Sequence, residues 1–326
     1  MPASQRETLN EAPRTAPTRL ASNARRSRGF ALLIVLFSVL AFAAACGSSD
    51  DLGEKTPSAS ATPAAQSTPT PAFSADSTMG RIATAGKLVV GVKFDQPGFG
   101  LKDPATGEID GFDVAIAHEI AKALGLSEGD VEFVEAVTAD RIPLLQSDQV
   151  DLVVATMTIT AEREEHIDFS RPYYLAGQSI LVKKTTTTIT TIDDLKGRKV
   201  CSVAGSTSEA TLRERAPGAI LTSRAGYTAC VSDLNAGDVD AVSTDDIILA
   251  AFAASDSSLK LVGGQFTQEP YGIGVKKGQP DMVEYLDGLI AQWFKDGTWD
   301  RIYNQYLGKV EGMPKAAEAR AKIPAK

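Results

Sequence analysis

The stretch "RIPLLQSDQVDLVVATMTITAEREEHIDFSRPYY", Arg141–Tyr174, changes its chemistry twice. A short amphipathic segment over 139–147 reads as a helix, and the run Val150–Thr156 has the length and β-branched content of a strand buried on both faces. Apolar residues then alternate with Thr from Met157 to Thr160, and the chain passes directly into Glu162, Arg163, Glu164 and Glu165. A buried strand that ends in threonines and then in dense charge poses the question of what its far end faces.

Outward from this stretch, strands and helices alternate. Lys87–Phe94 and Val131–Ala136 read as strands. Between them Gly111–Gly125 is a helix, with Val114, Ile116, Ala117, Ile120, Ala121 and Leu124 at helical spacing and Gly125 as its stop. Such alternation implies a mostly parallel sheet covered on both faces. The pattern then begins again. Ser179–Lys184 is a strand and Ile192–Lys196 a short helix; Arg198–Arg215 is a strand, Gly-containing loop and helix; Val239–Ala253 is a further strand and helix. Two α/β lobes are expected. Glu269–Gly278 reads as a return strand, Met282–Lys295 and Thr298–Tyr306 as amphipathic helices completing the first lobe, and the residues from about Lys309 as a loose end.

The chain has 326 residues, 43% hydrophobic and 23% charged, a composition that suits two domains with a large core. Residues 1–45 are set aside, because Arg25, Arg26 and Arg28 precede an apolar run, Phe30–Ala45, that ends at Cys46, the pattern of a secretory signal. The run is short for a membrane span. "AFAAACGSS", Ala41–Ser49, resembles a bacterial lipobox, with Ala43 where Leu is usual, and the resemblance implies a diacylglyceryl group on Cys46 and attachment to the outer face of the cytoplasmic membrane. Residues 46–80, rich in Ser, Thr, Pro and Ala, read as a solvated tether, with the body beginning near Arg81.

Removal of residues 1–45 takes away six Arg and two Glu, moving the net charge from −8 to −12. So acidic a body is a poor binder of nucleic acid, and any cationic pocket in it stands out. Cys201 and Cys230 are expected to pair as a disulfide in an oxidising compartment. His118 and His166 are the only histidines and neither has ligand spacing to a Cys, so no metal site is expected. No cofactor is expected either.

The stretches "GFDV" (Gly111–Val114), Arg141–Tyr174, "DDLKGRKVCSVAGSTSE" (Asp193–Glu209) and "GDVDAVSTDD" (Gly237–Asp246) occur in an order that resembles the family 3 bacterial extracellular solute-binding proteins, the polar amino-acid class serving ABC importers, over about residues 81–308. The resemblance implies an α/β, two-lobed periplasmic-binding-protein-like (type II) fold, each lobe a mostly parallel sheet flanked by helices. Lobe 1 would comprise 81–173 plus 274–326 and lobe 2 178–268, with a two-strand hinge at 174–177 and 269–273. It implies a monomer that hands an amino acid to the transmembrane subunits of an ABC permease.

The same resemblance assigns roles. A free amino acid carries an α-carboxylate and an α-ammonium, and a dry cleft must pair both or bear several kcal/mol of desolvation for each. Arg163 resembles the α-carboxylate clamp, a guanidinium giving two parallel donors that Lys cannot imitate, with Thr158, Ser206 and Thr207 beside it. Asp245 stands at the ammonium position. Lys93, Arg141, Thr138, Thr156 and Tyr227 fall at side-chain positions, with Phe94 and Phe99 read mainly as core. Two extra cations in an acidic protein suit a second carboxylate, so L-glutamate or L-aspartate is expected rather than glutamine. Two alternatives share the fold. One is an enzyme acting on a prephenate-like cyclic acid, for which Glu135 or Glu162 would be the acid but no base is recognisable. The other is a ligand-sensing receptor that signals to a partner protein.

Overall fold

The apolar runs pair as two separate five-stranded sheets in the computed structural model, which describes residues 72–325. In the first sheet the order is Val131–Glu135, Leu88–Val92, Leu152–Val153, Gly274–Lys276, Ile167–Phe169. In the second it is Ile220–Arg224, Lys199–Val203, Ala241–Asp245, Gln178–Lys183, Leu259–Val262. Each sheet is parallel except for one strand that runs against its neighbours: Gly274–Lys276 in the first, Gln178–Lys183 in the second. These are the strands on which the chain enters each lobe from the other, so reversal of direction follows from the crossing itself. The crossings, Tyr174–Ala176 and Glu269–Tyr271, pair antiparallel with Tyr174 opposite Tyr271. The molecule is therefore a two-lobed α/β fold of the periplasmic-binding-protein type.

The helix Phe112–Ala123 buries Val114, Ile116, Ala117, Ile120 and Ala121, the residues whose spacing predicted it. Gly111 precedes it with φ 147, and a Cβ there would lie 2.2 Å from the Phe99 carbonyl oxygen, so glycine is required for the first turn to approach that backbone. Trp299 and Tyr303, on the helix Thr298–Tyr306, stack with centroids 5.0 Å apart beneath the crossings. The strand expected over Val150–Thr156 is paired only at Leu152–Val153, because the chain leaves the sheet and turns at Thr156, where φ is 46.

Several elements depart from the sequence reading. A helix, Thr78–Ala85, begins inside the expected tether, and Phe73 packs edge-on against Tyr285. The rest of the tether to residue 71, Cys46 and the leader 1–45 lie outside the described residues. The C-terminal residues expected to be loose form a helix, Ala316–Lys322, that buries Ala316 and Ala319 and joins Arg320 to Asp300 at 2.7 Å. The strand Ile220–Arg224, the helix Tyr227–Ala236, the strand Leu259–Val262 and a small sheet within residues 95–110 had not been anticipated. Cys201, on Lys199–Val203, and Cys230, on Tyr227–Ala236, form a disulfide with Cα atoms 5.4 Å apart. Among the described residues no helix is long and apolar enough to cross a membrane.

Candidate functional site

The C-terminal ends of the parallel strands in both lobes converge on one cavity, the usual location of ligands in open α/β sheets. From the first lobe it is lined by Thr138, Arg141, Thr156, Thr158 and Arg163, and from the second by Ser206, Thr207, Ser208, Tyr227, Asp245 and Ile248. The cavity measures ≈ 10 Å³. That is about the space of one water molecule, so a larger guest enters only if the lobes part. A wider vestibule of ≈ 560 Å³ adjoins it and shares Thr158, Arg163, Ser206 and Thr207.

On the first lobe the cations are held by backbone. Arg141 donates through Nε to the Thr138 carbonyl (3.1 Å) and through Nη1 to the carbonyls of Ala155 (3.0 Å) and Thr156 (3.2 Å); Nη2 takes part in none of these bonds. Arg163 follows Thr160, whose hydroxyl caps the short helix Ala161–Glu164 by accepting from the Arg163 N–H. Its guanidinium donates to the Thr158 carbonyl at 2.7 Å and, across the cleft, to the Gly205 carbonyl at 3.2 Å. Burial lowers the pKa of both arginines, Arg141 to about 9 with the neighbouring Arg163 adding to the effect.

On the second lobe, Asp245 ends the strand Ala241–Asp245 and precedes the helix Asp246–Ser255 without capping it through its side chain. Its Oδ2 accepts from the Tyr271 hydroxyl at 2.5 Å, while Oδ1 is buried with no hydrogen-bond partner. Burial, reinforced by the charge of Glu269, raises its pKa to about 8. A buried carboxylate with an unpaired oxygen is costly unless a donor reaches it. Ser206 caps the helix Thr207–Arg215. Tyr227 stands within reach of the Ser206, Ser208 and Thr244 hydroxyls, and burial pushes its phenol up to about 12.

The structure thus brings together every ligand-facing residue expected from the sequence except Lys93. That side chain lies behind the wall, beside Glu135 and Phe94 in a neighbouring cavity, and its ammonium donates to the Thr138 hydroxyl at 2.6 Å. Burial, then the nearby Arg141, lowers its pKa to about 7. Phe99 is fully buried in the core.

Two acidic residues were missed. Glu269, seen in the sequence only as part of a hinge crossing, accepts from Thr158 Oγ1 (2.8 Å) on one lobe and Thr207 Oγ1 (2.9 Å) on the other, and through its second oxygen from Thr267 (2.7 Å). Both threonine hydroxyls expected to meet a ligand carboxylate therefore bond to a carboxylate of the protein. The signal was an acid opening an otherwise apolar return strand. Asp113, in "GFDV", is fully buried and accepts from the Thr156 N–H and the Tyr173 hydroxyl.

The cavity sets guanidinium groups on one wall opposite an under-coordinated carboxylate on the other. Of the acids considered for an enzyme, Glu162 lines the adjoining vestibule and Glu135 the neighbouring cavity beside Lys93. The chain is 41% identical over 276 residues to the ABC transporter glutamine-binding protein GlnH of Bacillus subtilis, a match covering 84% of this chain and 95% of that protein. It is 34% identical over 235 residues to the glutamate-binding protein GluB of Corynebacterium glutamicum, covering 69% and 79%. A solved ancestral arginine-binding protein bound to glutamine superposes with a TM-score of 0.65 at 41% identity, covering 69% of this chain and 99% of that one. With the family model matching residues 88–309, the chain belongs to the bacterial extracellular solute-binding proteins, family 3.

Proposed function

We propose that this protein captures L-glutamate, with L-aspartate as the shorter analogue, between its two lobes and presents the closed complex to the transmembrane subunits of an ABC importer. The observation that carries the reading is the buried, unpartnered Oδ1 of Asp245, a residue that lines the same cavity as Arg163 and Arg141. An α-ammonium supplies the donor that Asp245 lacks, and Arg163 takes the α-carboxylate. Arg141 meets the distal group. Thr138 assists it, because the Lys93 ammonium occupies the acceptor side of its hydroxyl and leaves the O–H to donate into the cavity. Donors of this kind suit an acceptor, and a second carboxylate neutralises the buried Arg141 as an amide does not. The Ser206 hydroxyl and the backbone N–H of Thr207 would add donors from the second lobe on closure, and Thr156, Thr158 and Tyr227 the remaining walls. Micromolar capture requires roughly 8 kcal/mol in all.

A glutamine ligand is the second reading, favoured by the name of the Bacillus subtilis relative, whereas the Corynebacterium glutamicum relative is named for glutamate. Calorimetry of residues 72–326 with glutamate, aspartate and glutamine separates the two. Glutamate tighter than glutamine supports the proposal, glutamine tighter sinks the glutamate assignment, and no binding of any of the three sinks the amino-acid reading. Binding with no turnover is part of the proposal. Consumption of a prephenate-like acid in the presence of the protein would count against it.

In the same reading the lobes comprise 81–173 with 274–326, and 178–268; the protein is a monomer, and Cys46 bears a diacylglyceryl anchor. Incorporation of labelled fatty acid that disappears in Cys46→Ser tests the anchor.

A further inference from the structure

Thr156 lines the cavity with φ 46, in the left-handed region. For a β-branched residue this is a true outlier, and such strain persists only where the surroundings impose it. Its surroundings are specific. The Thr156 N–H donates to Asp113 Oδ2 at 2.9 Å, its hydroxyl donates to Gln96 Oε1 at 3.0 Å, and its carbonyl accepts from Arg141 Nη1 at 3.2 Å. Asp113 is itself fixed, being fully buried in the first turn of Phe112–Ala123 and accepting through its other oxygen from Tyr173 at 2.8 Å.

The Thr156 N–H shares one rigid peptide plane with the Ala155 carbonyl, and in a trans peptide the two point in opposite directions. Asp113 grips the N–H end. Arg141 Nη1 donates to the carbonyl end at 3.0 Å. The peptide dipole therefore lies between an acid and a guanidinium, its positive end toward the acid and its negative end toward the cation. Any rotation of this plane moves a carbonyl that orients Arg141.

We infer that Asp113 is a positioning residue for ligand recognition: by clamping the 155–156 peptide and the left-handed Thr156, it aims Arg141 at the distal group of the bound amino acid. The inference rests on the reading of Arg141 given above. Asp113 itself is not among the residues lining the cavity, so the effect travels through the peptide.

A double-mutant cycle tests it, with L-glutamate affinity by calorimetry as the readout and melting temperature recorded separately. Glycine adopts positive φ without a clamp, so Thr156→Gly should uncouple the site from Asp113. In the wild-type background Asp113→Ala is expected to weaken glutamate about ten- to a hundredfold. In the Thr156→Gly background the same change should cost no more than about threefold. The loss should be larger for glutamate than for glutamine, since the displaced group is the one facing the second carboxylate, whereas a purely structural defect lowers the melting temperature and leaves that ratio unchanged. If Asp113→Ala does not fold, Asp113→Asn, which keeps one oxygen for the Thr156 N–H, is expected to show a smaller loss that Thr156→Gly likewise cancels. Equal losses in both backgrounds, an unaltered selectivity ratio, or full affinity in Asp113→Ala would overturn the inference. If the wild-type protein prefers glutamine, the ligand assignment fails, and the same cycle run with glutamine still decides whether Asp113 acts through Thr156.

Discussion

The two walls of the cavity are finished to different degrees. On the first lobe Arg141 is held by three carbonyl contacts, Arg163 by the Thr158 carbonyl, and the Thr138 hydroxyl by Lys93. On the second lobe Asp245 has one oxygen bonded to Tyr271 and the other bonded to nothing. A preorganised wall binds without rearranging, while an under-coordinated one gains most when the missing donor arrives. In the proposed reading the ligand docks on the first lobe, and its ammonium makes closure of the second favourable, a differential contact of the kind that shifts a population between open and closed forms.

The strongest way to break this asymmetry is to remove the cation that reaches both walls. Arg163→Ala is expected to abolish measurable binding, a loss of about 3–5 kcal/mol for a carboxylate left without its buried partner; calorimetric affinity within tenfold of wild type would refute the clamp.

Asp245→Asn attacks the other wall. Affinity should fall by about 2–4 kcal/mol, yet the ligand-free protein should become more stable at neutral pH. The carboxyl has its pKa raised from 3.8 to about 8, so between those values the folded state holds a proton that the unfolded chain has released. Stability from this group is therefore greatest at low pH and declines as pH rises through that window. Asp113, raised to about 7, acts in the same direction, and Lys93, lowered to about 7, opposes them only above that pH. Ligand-free melts from about pH 5 to 7 should show the advantage of Asp245→Asn over wild type shrinking as pH falls, by at most about 1.4 kcal/mol per unit. An advantage that grows instead would contradict the assignment.

Lys93→Met sharpens the comparison more gently. Because the ammonium acts through Thr138, glutamate should weaken about tenfold, or roughly 1.4 kcal/mol, and glutamine less; equal losses would remove Lys93 from selectivity. The smallest effect on binding is expected from replacing Cys201 and Cys230 together by Ala. Stability should drop by roughly 3–4 kcal/mol for a loop of this length, with affinity altered by less than about twofold, and a larger change in affinity would show that the disulfide shapes the site.

What was legible in the sequence divides along physical lines. The helix Phe112–Ala123 announced itself through one continuous apolar face, and the strands Leu88–Val92 and Gln178–Lys183 through apolar runs. Ile220–Arg224 did not, because it is an edge strand with Ile220 56% exposed and no burial alternation to read. In the site, the residues that share a cavity could be anticipated, whereas the partners of their polar atoms could not. Glu269 meets Thr158 across 111 positions of chain and Asp113 meets Thr156 across 43, and no local pattern encodes such pairings. Lys93 illustrates the same point: it was foreseen near the site, but its ammonium is directed to Thr138 rather than into the cavity.

The Cys201–Cys230 bond has both its ends within the second lobe, joining an interior strand to the helix on which Tyr227 stands one turn earlier. Reduction would thus soften one jaw without touching the pivot. A thiol in the assay buffer should then appear as a less heat-resistant protein that still opens and shuts about the same axis.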